Sequence, residues 1–320
     1  MCFYARSALF AVALSSFTMI AWSASANGSR DGSAAATGPA ASLPDVTVTA
    51  PRPPDPQELA GEAVPKFITS HATPSTVIHQ LARWRTGICP VTQGLSPAFN
   101  AFVSARIEAV AATVGAPHQA AEKCGHNIQI IFAREPQKVL DEVMKQKSRL
   151  LGFHYAQQTK KLATFSRPVQ GWYVTSTRGD AGDEAIDEAQ QLPSVPNLGL
   201  TGPVPAGRLG SRLVTGQSSA IINALIVVDV QKIGGHTIGS ISDYLAVLVL
   251  SQSQSPDSCG ALPSIIDLMS SNCGDREKPT QVTAGDIAFL RGLYSADLEQ
   301  PASLEVTDIQ NNMMRQFQSR

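Results

Sequence analysis

One apolar stretch in the second half of the chain constrains the fold more than any other feature. Residues 224–228 read Ala-Leu-Ile-Val-Val, inside a longer strand-like segment at 219–233. A strand with one solvated face alternates apolar and polar residues, whereas a strand covered on both faces is continuously apolar. The stretch therefore predicts a central strand that is buried on both faces, and Gly234-Gly235 ends it.

Shorter elements are predicted around this strand. Alternating apolar residues indicate strands at 88–92, 127–133 and 169–175. Helical periodicity indicates helices that begin near 96, 136, 240 and 286, and a short helix around 265–269. The first strand-helix-strand succession favours a right-handed crossover in one sheet. Together the elements predict an α+β fold, with a mixed sheet, helices and a smaller helical C-terminal part.

Local signals set the predicted helix ends. Pro97 lies in the first turn of the first helix and Gly115 stops it. Ser240 and Asp243 have the spacing of a capping box, and Thr283 is a predicted N-cap with Asp286 at the third helical position. The apolar face of the first helix is predicted to comprise Phe99, Phe102, Val103, Ile107, Val110 and Val114.

The N-terminus predicts export. Arg6, an apolar core and the small residues Ala24-Ser25-Ala26 are typical of a cleaved signal peptide at 1–26. The alternative, an uncleaved anchor, is disfavoured because the apolar core is shorter than the ~20 residues that span a bilayer. The predicted location is the periplasm or the extracellular space, and no transmembrane segment is predicted in the mature chain. The predicted parts that follow are a disordered leader at 27–56, a single globular domain at 57–300 with a long loop at 180–210, and a C-terminal tail at 301–320.

Four cysteines remain after the predicted cleavage. An even number of cysteines in an oxidising compartment favours two disulfides. Pairing by order predicts Cys89 with Cys124 and Cys259 with Cys273, although four cysteines permit three connectivities. A metal site is disfavoured, because no C-x-x-C pair and no nearby histidine cluster accompany them. No cofactor is predicted.

The charges exclude some partners. The chain carries 25 basic and 26 acidic residues, and the basic ones are scattered, so nucleic-acid binding has no electrostatic footprint. An isolated charge, Asp229, interrupts the apolar strand and is interpreted as a strand-end residue that faces solvent or pairs with Lys232. An acidic cluster is interpreted as a solvated face rather than a calcium site, because EF-hand spacing is missing: Asp180, Asp183, Glu184, Asp187 and Glu188.

The histidines and the common motifs point to no active site. No two of the six histidines lie four residues apart, and His71 and His79 are interpreted as surface or packing residues. His118 and His126 flank Cys124, whose oxidation would remove a Cys-His nucleophile. The chain has no G-x-S-x-G elbow and no Gly-rich phosphate loop.

The order of elements resembles the zincin fold of metallopeptidases. The sequence at 283–294, Thr-Ala-Gly-Asp-Ile-Ala-Phe-Leu-Arg-Gly-Leu-Tyr, is similar to the closing helix of metzincin-type peptidases. The segment 84–294 also resembles a group of exported proteobacterial proteins of unknown function with zincin-like patterning. The resemblance implies an edge strand, then a buried active-site helix, then a smaller helical half.

The zincin zinc motif is missing from this sequence. Zincins need H-E-x-x-H on the helix after the edge strand, where two histidines bind zinc and the glutamate polarises water. The overlay places Asp243, Tyr244 and Val247 at the three motif positions, and His236 before the helix has no partner at four-residue spacing. The resemblance therefore implies a degenerate peptidase scaffold without zinc, since fold alone does not carry activity.

Three functions remain open from the sequence. The first is a non-catalytic exported domain that binds an extended peptide or an envelope protein beside the 169–175 strand by edge pairing. The second is a hydrolase with an unrecognised active site, which converging His, Asp, Glu or Ser side chains at the 240–252 helix would favour. The third is an envelope structural protein that is tethered by the 27–56 leader.

Overall fold

A computed structural model describes residues 63–75, 77–118, 124–152, 161–180, 182–187, 215–253, 257–260 and 262–318. All of these residues belong to one compact unit within Val46–Arg320. The predicted signal peptide, the leader and most of the predicted 180–210 loop lie outside the described residues.

A mixed six-stranded sheet forms the centre of the domain. Its strands are β1 (Arg83–Trp84), β2 (Pro90–Gln93), β3 (Ile128–Ala133), β4 (Val169–Gly179), β5 (Glu184–Ile186) and β6 (Gln217–Asp229). The strand order is β2-β3-β6-β4-β5, and β1 lies beside the first part of β6. The pairs β2–β3, β3–β6 and β1–β6 are parallel, whereas β4 is antiparallel to both of its neighbours.

Within the described residues, six helices accompany the sheet. They are α1 (Val64–His71), α2 (Pro97–Val114), α3 (Pro136–Lys147), α4 (Ile238–Ser251), α5 (Ala284–Ser295) and α6 (Ala302–Gln318), with 3-10 turns at Ser148–Leu151 and Ile265–Met269. The mixed sheet and these helices confirm the α+β prediction. Helices α1 and α6 were not predicted.

The ends of α2 lie where the sequence places them. The Ser96 side chain accepts a hydrogen bond from the Phe99 N–H, and Gly115 ends the helix at φ 76°. Glycine tolerates this left-handed conformation because it has no Cβ. Four predicted inward residues are buried: Val103, Ile107, Val110 and Val114. Phe99, in contrast, is 51% exposed, so its predicted place on the buried face was wrong.

Strand β6 is covered on both faces, as its sequence predicts. Ala224, Ile226 and Val228 belong to a large apolar core with α1, α2, α4, α5 and α6. Leu225 and Val227 point to the opposite face and pack in a smaller core with Leu140 of α3. The strand ends at Asp229 rather than at 233. The Asp229 carboxylate there accepts from the Gln231 N–H and lies 3.5 Å from Lys232 Nζ, which confirms its interpretation as a strand-end residue.

Helix α4 is enclosed by the large core. All of its residues from 240 to 251 are buried, as the apolar sequence predicts. Its N-cap was predicted wrongly: the Thr237 side chain accepts from the Ser240 N–H, and the Asp243 side chain is engaged elsewhere. The Thr283–Asp286 capping box at α5 is confirmed.

Three other segments differ from the sequence prediction. The supposed tail at 301–320 contains α6, whose Ile309 and Met313 are fully buried. Strand β4 continues to Gly179, and the predicted loop contains β5. Within the acidic cluster Asp187 is 2% exposed and accepts hydrogen bonds from Thr175 and Thr177, so the solvated-face interpretation is wrong for that residue.

Two disulfides join the cysteines in the predicted order. Cys89 bonds to Cys124 with a Cα–Cα distance of 5.5 Å, and Cys259 bonds to Cys273 with a Cα–Cα distance of 4.9 Å. Both distances fall within the usual range for disulfides. No helix in the described ranges is long and apolar enough to cross a membrane.

Candidate functional site

Asp243 on α4 is held by a buried ion pair. Its Oδ1 lies 2.5 Å from Arg106 Nε, its Oδ2 lies 3.1 Å from Arg106 Nη2, and Oδ2 also accepts from the Val282 N–H at 3.1 Å. The carboxylate thus joins α4 to α2 and to the segment that leads into α5. A fork of guanidinium donors and a backbone donor occupy this carboxylate, so Asp243 has a structural role in the core.

The other two overlay positions lie in the apolar core. Tyr244 and Val247 have no exposed surface, and both belong to the large cluster of buried residues. His236 is exposed on the turn before α4. These positions therefore hold packing residues where a zincin would hold its metal ligands and base, and the resemblance to zincins stays a prediction.

A chain of three buried polar side chains links α1 to α5. His71 Nε2 lies 2.8 Å from Ser264 Oγ, and Ser264 Oγ donates to Asp286 Oδ1 at 2.6 Å. His71 stacks on Phe67 with ring centroids 3.9 Å apart. All three side chains are at most 3% exposed. Sequence reasoning missed this chain, because His71 and Ser264 are 193 positions apart.

The residue types are those of a Ser-His-Asp hydrolase, but their order differs. In a catalytic triad the imidazole lies between the hydroxyl and the carboxylate. Here the Ser264 hydroxyl lies between the other two, donating to Asp286 and accepting from the Ile266 N–H at 3.1 Å. His71 Nε2 also lies 2.8 Å from that oxygen, and the Ser264 side chain has no exposed surface, so the hydroxyl is not accessible to a substrate. These three side chains therefore connect α1, the 265–269 turn and α5.

Burial and neighbouring charges set protonation in this region. Burial lowers the pKa of His71, and the negative charge of Asp286 opposes that shift. Burial raises the pKa of Asp267 to about 6, opposed by hydrogen bonds from the backbone of Ser264 and Gly260. Ser264 and Asp267 form a second capping box, at a Ser-x-x-Asp spacing that the sequence analysis overlooked.

One cavity of about 570 Å³ lies beside β1 and the C-terminal ends of α2 and α5. Arg83 lines this cavity, but its guanidinium is held by contacts within the domain. Nη2 donates to the carbonyls of Ala296 and Asp297, and Nη1 lies 3.3 Å from Glu305 Oε1. The lining balances two arginines against two carboxylates, so it favours neither an anion nor a cation. The lining residues are Arg83, Trp84, Arg85, Gly115, Pro117, Tyr294, Ala296, Asp297, Leu298 and Glu299.

The outer side of β4 is only partly paired with another strand among the described residues. Strand β6 pairs with the whole length of β4, whereas β5 pairs only with Ser176–Arg178. Within the described ranges no strand pairs with the outer side of 169–174. Among the described residues this part of β4 therefore lies at an edge of the sheet, and peptide pairing beside the 169–175 strand stays a prediction.

The register identifies which backbone groups point outward. The Pro168 carbonyl accepts from the Asp229 N–H at 2.9 Å, so residue 168 faces β6. The Ala224 N–H donates to Asn127 beside β3, so the β6 residue opposite Tyr173 faces away from β4. Because alternate residues of an antiparallel strand face the same neighbour, the N–H and C=O groups of 169, 171 and 173 point to the open side.

The two aromatic residues of this edge face opposite sides of the sheet, as predicted. Trp172 packs in the smaller core, and its Nε1 donates to the Leu162 carbonyl at 2.8 Å. Tyr173 packs against the large core, and its hydroxyl donates to the Leu248 carbonyl on α4 at 2.8 Å. Both contacts fix the edge strand against the layers above and below it.

His126 lies next to the first disulfide. Within the part of the chain that the structure describes, only Cys89, Cys124 and His126 form a group of three potential metal ligands, with ligand atoms within 4.8 Å of one another. Both sulfur atoms are joined in the disulfide, and a metal would need them as thiolates. From the sequence, His126 is interpreted only as a partner of a free Cys124, and the Cys-x-His spacing at 124–126 is the signal for its position beside the disulfide.

Comparisons with known proteins identify no relative: no protein-family model, no curated protein and no solved structure matches the chain.

Proposed function

We propose that this domain is a non-catalytic binding module that takes up an extended peptide along the outer side of β4. The open edge at 169–174 carries the proposal. A peptide strand that pairs there gains main-chain hydrogen bonds to the outward groups of residues 169, 171 and 173, and it extends the sheet by one strand.

The composition of the edge supports this function. Sheet edges in soluble domains are commonly protected by charges, prolines or bulges that prevent pairing with another chain. Residues 169–174 read Val-Gln-Gly-Trp-Tyr-Val and contain no charge and no proline. The register shift of β4 lies beyond this part, between Val174 and Thr175. The edge thus keeps the regular backbone that a pairing partner needs.

The contacts of α4 favour binding over catalysis. The one carboxylate at the overlay positions, Asp243, is bound by Arg106 and the Val282 N–H. The Ser264 hydroxyl of the buried His71–Ser264–Asp286 chain contacts three polar groups and has no exposed surface. A degenerate zincin-like scaffold, which is the fold proposed here, would keep the edge strand that binds peptide and use the former site positions for packing.

The two disulfides support a location outside the cytoplasm. Stable structural disulfides form and persist in oxidising compartments, which in bacteria means the periplasm or the exterior. The proposal therefore places the domain in the cell envelope or outside the cell, with a peptide or a segment of an envelope protein as partner.

N-methylated peptides test the proposed binding mode. A library of short peptides is screened against the purified domain, and one binder is synthesised with single backbone N-methyl groups at successive positions. In edge pairing, alternate peptide N–H groups face β4. Methylation should abolish binding at every second position and leave binding unchanged at the positions between. Equal losses at adjacent positions, or a library without binders, would refute the proposal.

A further inference from the structure

The disulfide between Cys89 and Cys124 has polar groups aimed at its sulfur atoms. The His126 N–H donates to Cys89 Sγ at 3.1 Å. The His126 Nδ1 lies 3.6 Å from Cys89 Sγ and 3.9 Å from Cys124 Sγ. No such hydrogen bond reaches the sulfurs of Cys259 and Cys273 from any residue that the structure describes. The two disulfides of the domain are therefore chemically different.

The two sulfurs of this disulfide also differ in accessibility. Cys89 is 1% exposed, whereas Cys124 is half-buried and His126 is exposed. Cys124 is thus the more accessible residue of the two, while Cys89 stays inside beside the His126 N–H and imidazole. This difference in exposure favours attack on Cys124 Sγ, with Cys89 Sγ as the leaving group.

We propose that the Cys89–Cys124 disulfide is a site of thiol–disulfide exchange with an external thiol, and that Cys124 is the sulfur attacked. The thiolate of the external thiol forms a bond to Cys124 Sγ as the Cys124–Cys89 bond breaks. The electron pair of the broken bond remains on Cys89 Sγ as a thiolate. A second external thiolate then attacks the external sulfur of the mixed disulfide, which releases Cys124 as a thiolate and the external pair as its disulfide.

The neighbours of Cys89 favour the first step. The rate of exchange rises as the leaving thiolate becomes more stable. A backbone N–H and an imidazole next to Cys89 Sγ stabilise negative charge on that sulfur, as cationic and hydrogen-bonding neighbours do at reactive cysteines. Both groups come from His126, which adopts a left-handed backbone with φ 49°.

The scaffold keeps the leaving sulfur in place after the bond has broken. The Cys89 N–H donates to Asn127 Oδ1 at 2.8 Å, and Asn127 Nδ2 donates to the Gly87 carbonyl at 3.1 Å. The Ile128 N–H donates to the Cys89 carbonyl. Since none of these bonds involves the disulfide, Cys89 remains beside His126 in the reduced protein, ready to reform the bond.

Glutathione is the probe for this proposal. The folded full chain is incubated with glutathione, quenched with acid at intervals, alkylated with iodoacetamide and mapped by mass spectrometry. The expected product carries glutathione on Cys124 and the alkyl group on Cys89. Reduction of this disulfide should be faster than that of Cys259–Cys273 by about tenfold or more. Glutathione on Cys89, or equal rates for the two disulfides, would overturn the proposal.

A histidine variant isolates the imidazole. His126→Asn keeps a residue that tolerates the left-handed backbone and keeps the N–H, and it removes the ring. Its reduction by glutathione should be about tenfold slower than that of the wild type. His236→Asn changes an exposed histidine on another turn and should leave the rate unchanged. An unchanged rate in His126→Asn would overturn the role of the ring, and the mapping of the wild-type adduct decides the site independently of either variant.

Discussion

Replacing Arg106 with methionine would leave the Asp243 carboxylate in the core without its cation. The side chain of Asp243 is 2% exposed and that of Arg106 is 15% exposed, so the carboxylate is buried and the guanidinium only partly reaches solvent. Removing one partner of a buried ion pair destabilises a protein by about 3–5 kcal/mol. The Val282 N–H still bonds Asp243, so we expect a loss near the lower limit, about 3 kcal/mol.

Replacing Asp243 with asparagine has a smaller predicted effect. The amide oxygen can still accept from the Val282 N–H, and Arg106 can turn its guanidinium towards water because it is partly exposed. The charge-assisted bonds are lost, which lowers stability by about 1–2 kcal/mol. In the Arg106→Met protein the Asp243 carboxylate is buried without a cation. Asp243→Asn removes this unpaired charge, so in that protein the substitution should be neutral or stabilising. This reversal of sign is the specific signature of a buried pair.

Denaturant unfolding, followed by circular dichroism, gives the free energy of unfolding of four proteins: the wild type, Arg106→Met, Asp243→Asn and the double variant. Arg134→Met serves as the control, because Arg134 is an exposed arginine and surface replacements usually change stability by no more than about 0.5 kcal/mol. If Arg106→Met matches this control, or if Asp243→Asn has the same effect in both backgrounds, the structural role assigned to Asp243 is refuted.

Two further predictions concern α5 and the 265–269 turn. Gly292→Ala places a Cβ 3.1 Å from Ile309 Cα, which should loosen α6 and destabilise the fold by about 1–3 kcal/mol in denaturant unfolding. Gly285→Ala on the same helix has no neighbour nearer than 3.5 Å and should change stability by no more than about 0.5 kcal/mol; equal effects would contradict the docking of α6. Because burial raises the folded-state pKa of Asp267 to about 6, the folded protein binds more protons than the unfolded chain between roughly pH 4 and 6. Stability should therefore fall as pH rises through that window, and Asp267→Asn should destabilise the protein most below pH 4 and least above pH 6; a loss that is independent of pH would refute the raised pKa.

The parts of the fold that the sequence predicts are those with local signals. The limits of α2 follow from Ser96, Pro97 and Gly115, which act on their own helix. The covered faces of β6 follow from its uninterrupted apolar centre. Pairing of the cysteines by order also succeeds, since each disulfide joins neighbours among the four.

The parts that were missed depend on distant residues. A spacing of three residues predicts Asp243 as part of a helix cap, whereas its partner Arg106 is 137 positions away. Helix α6 has a polar sequence and few apolar residues, and its burial depends on contact with α5. The His71–Ser264–Asp286 chain and the approach of His126 to Cys89 arise only when separate elements meet. The spacing of residues within one segment does not predict contacts between side chains of separate elements.

Hydrogen exchange of single amides in β4 tests directly whether residues 169–174 form an open edge that binds peptide. In the free protein the amides of 170, 172 and 174 face β6 and should exchange slowly, whereas those of 171 and 173 should exchange fast because they face the open edge. Addition of a bound peptide should then slow the exchange of 171 and 173 selectively. An open edge that binds peptide predicts both this alternating pattern and its loss on binding. Slow exchange at 171 and 173 in the free protein, or no change with peptide, would contradict it.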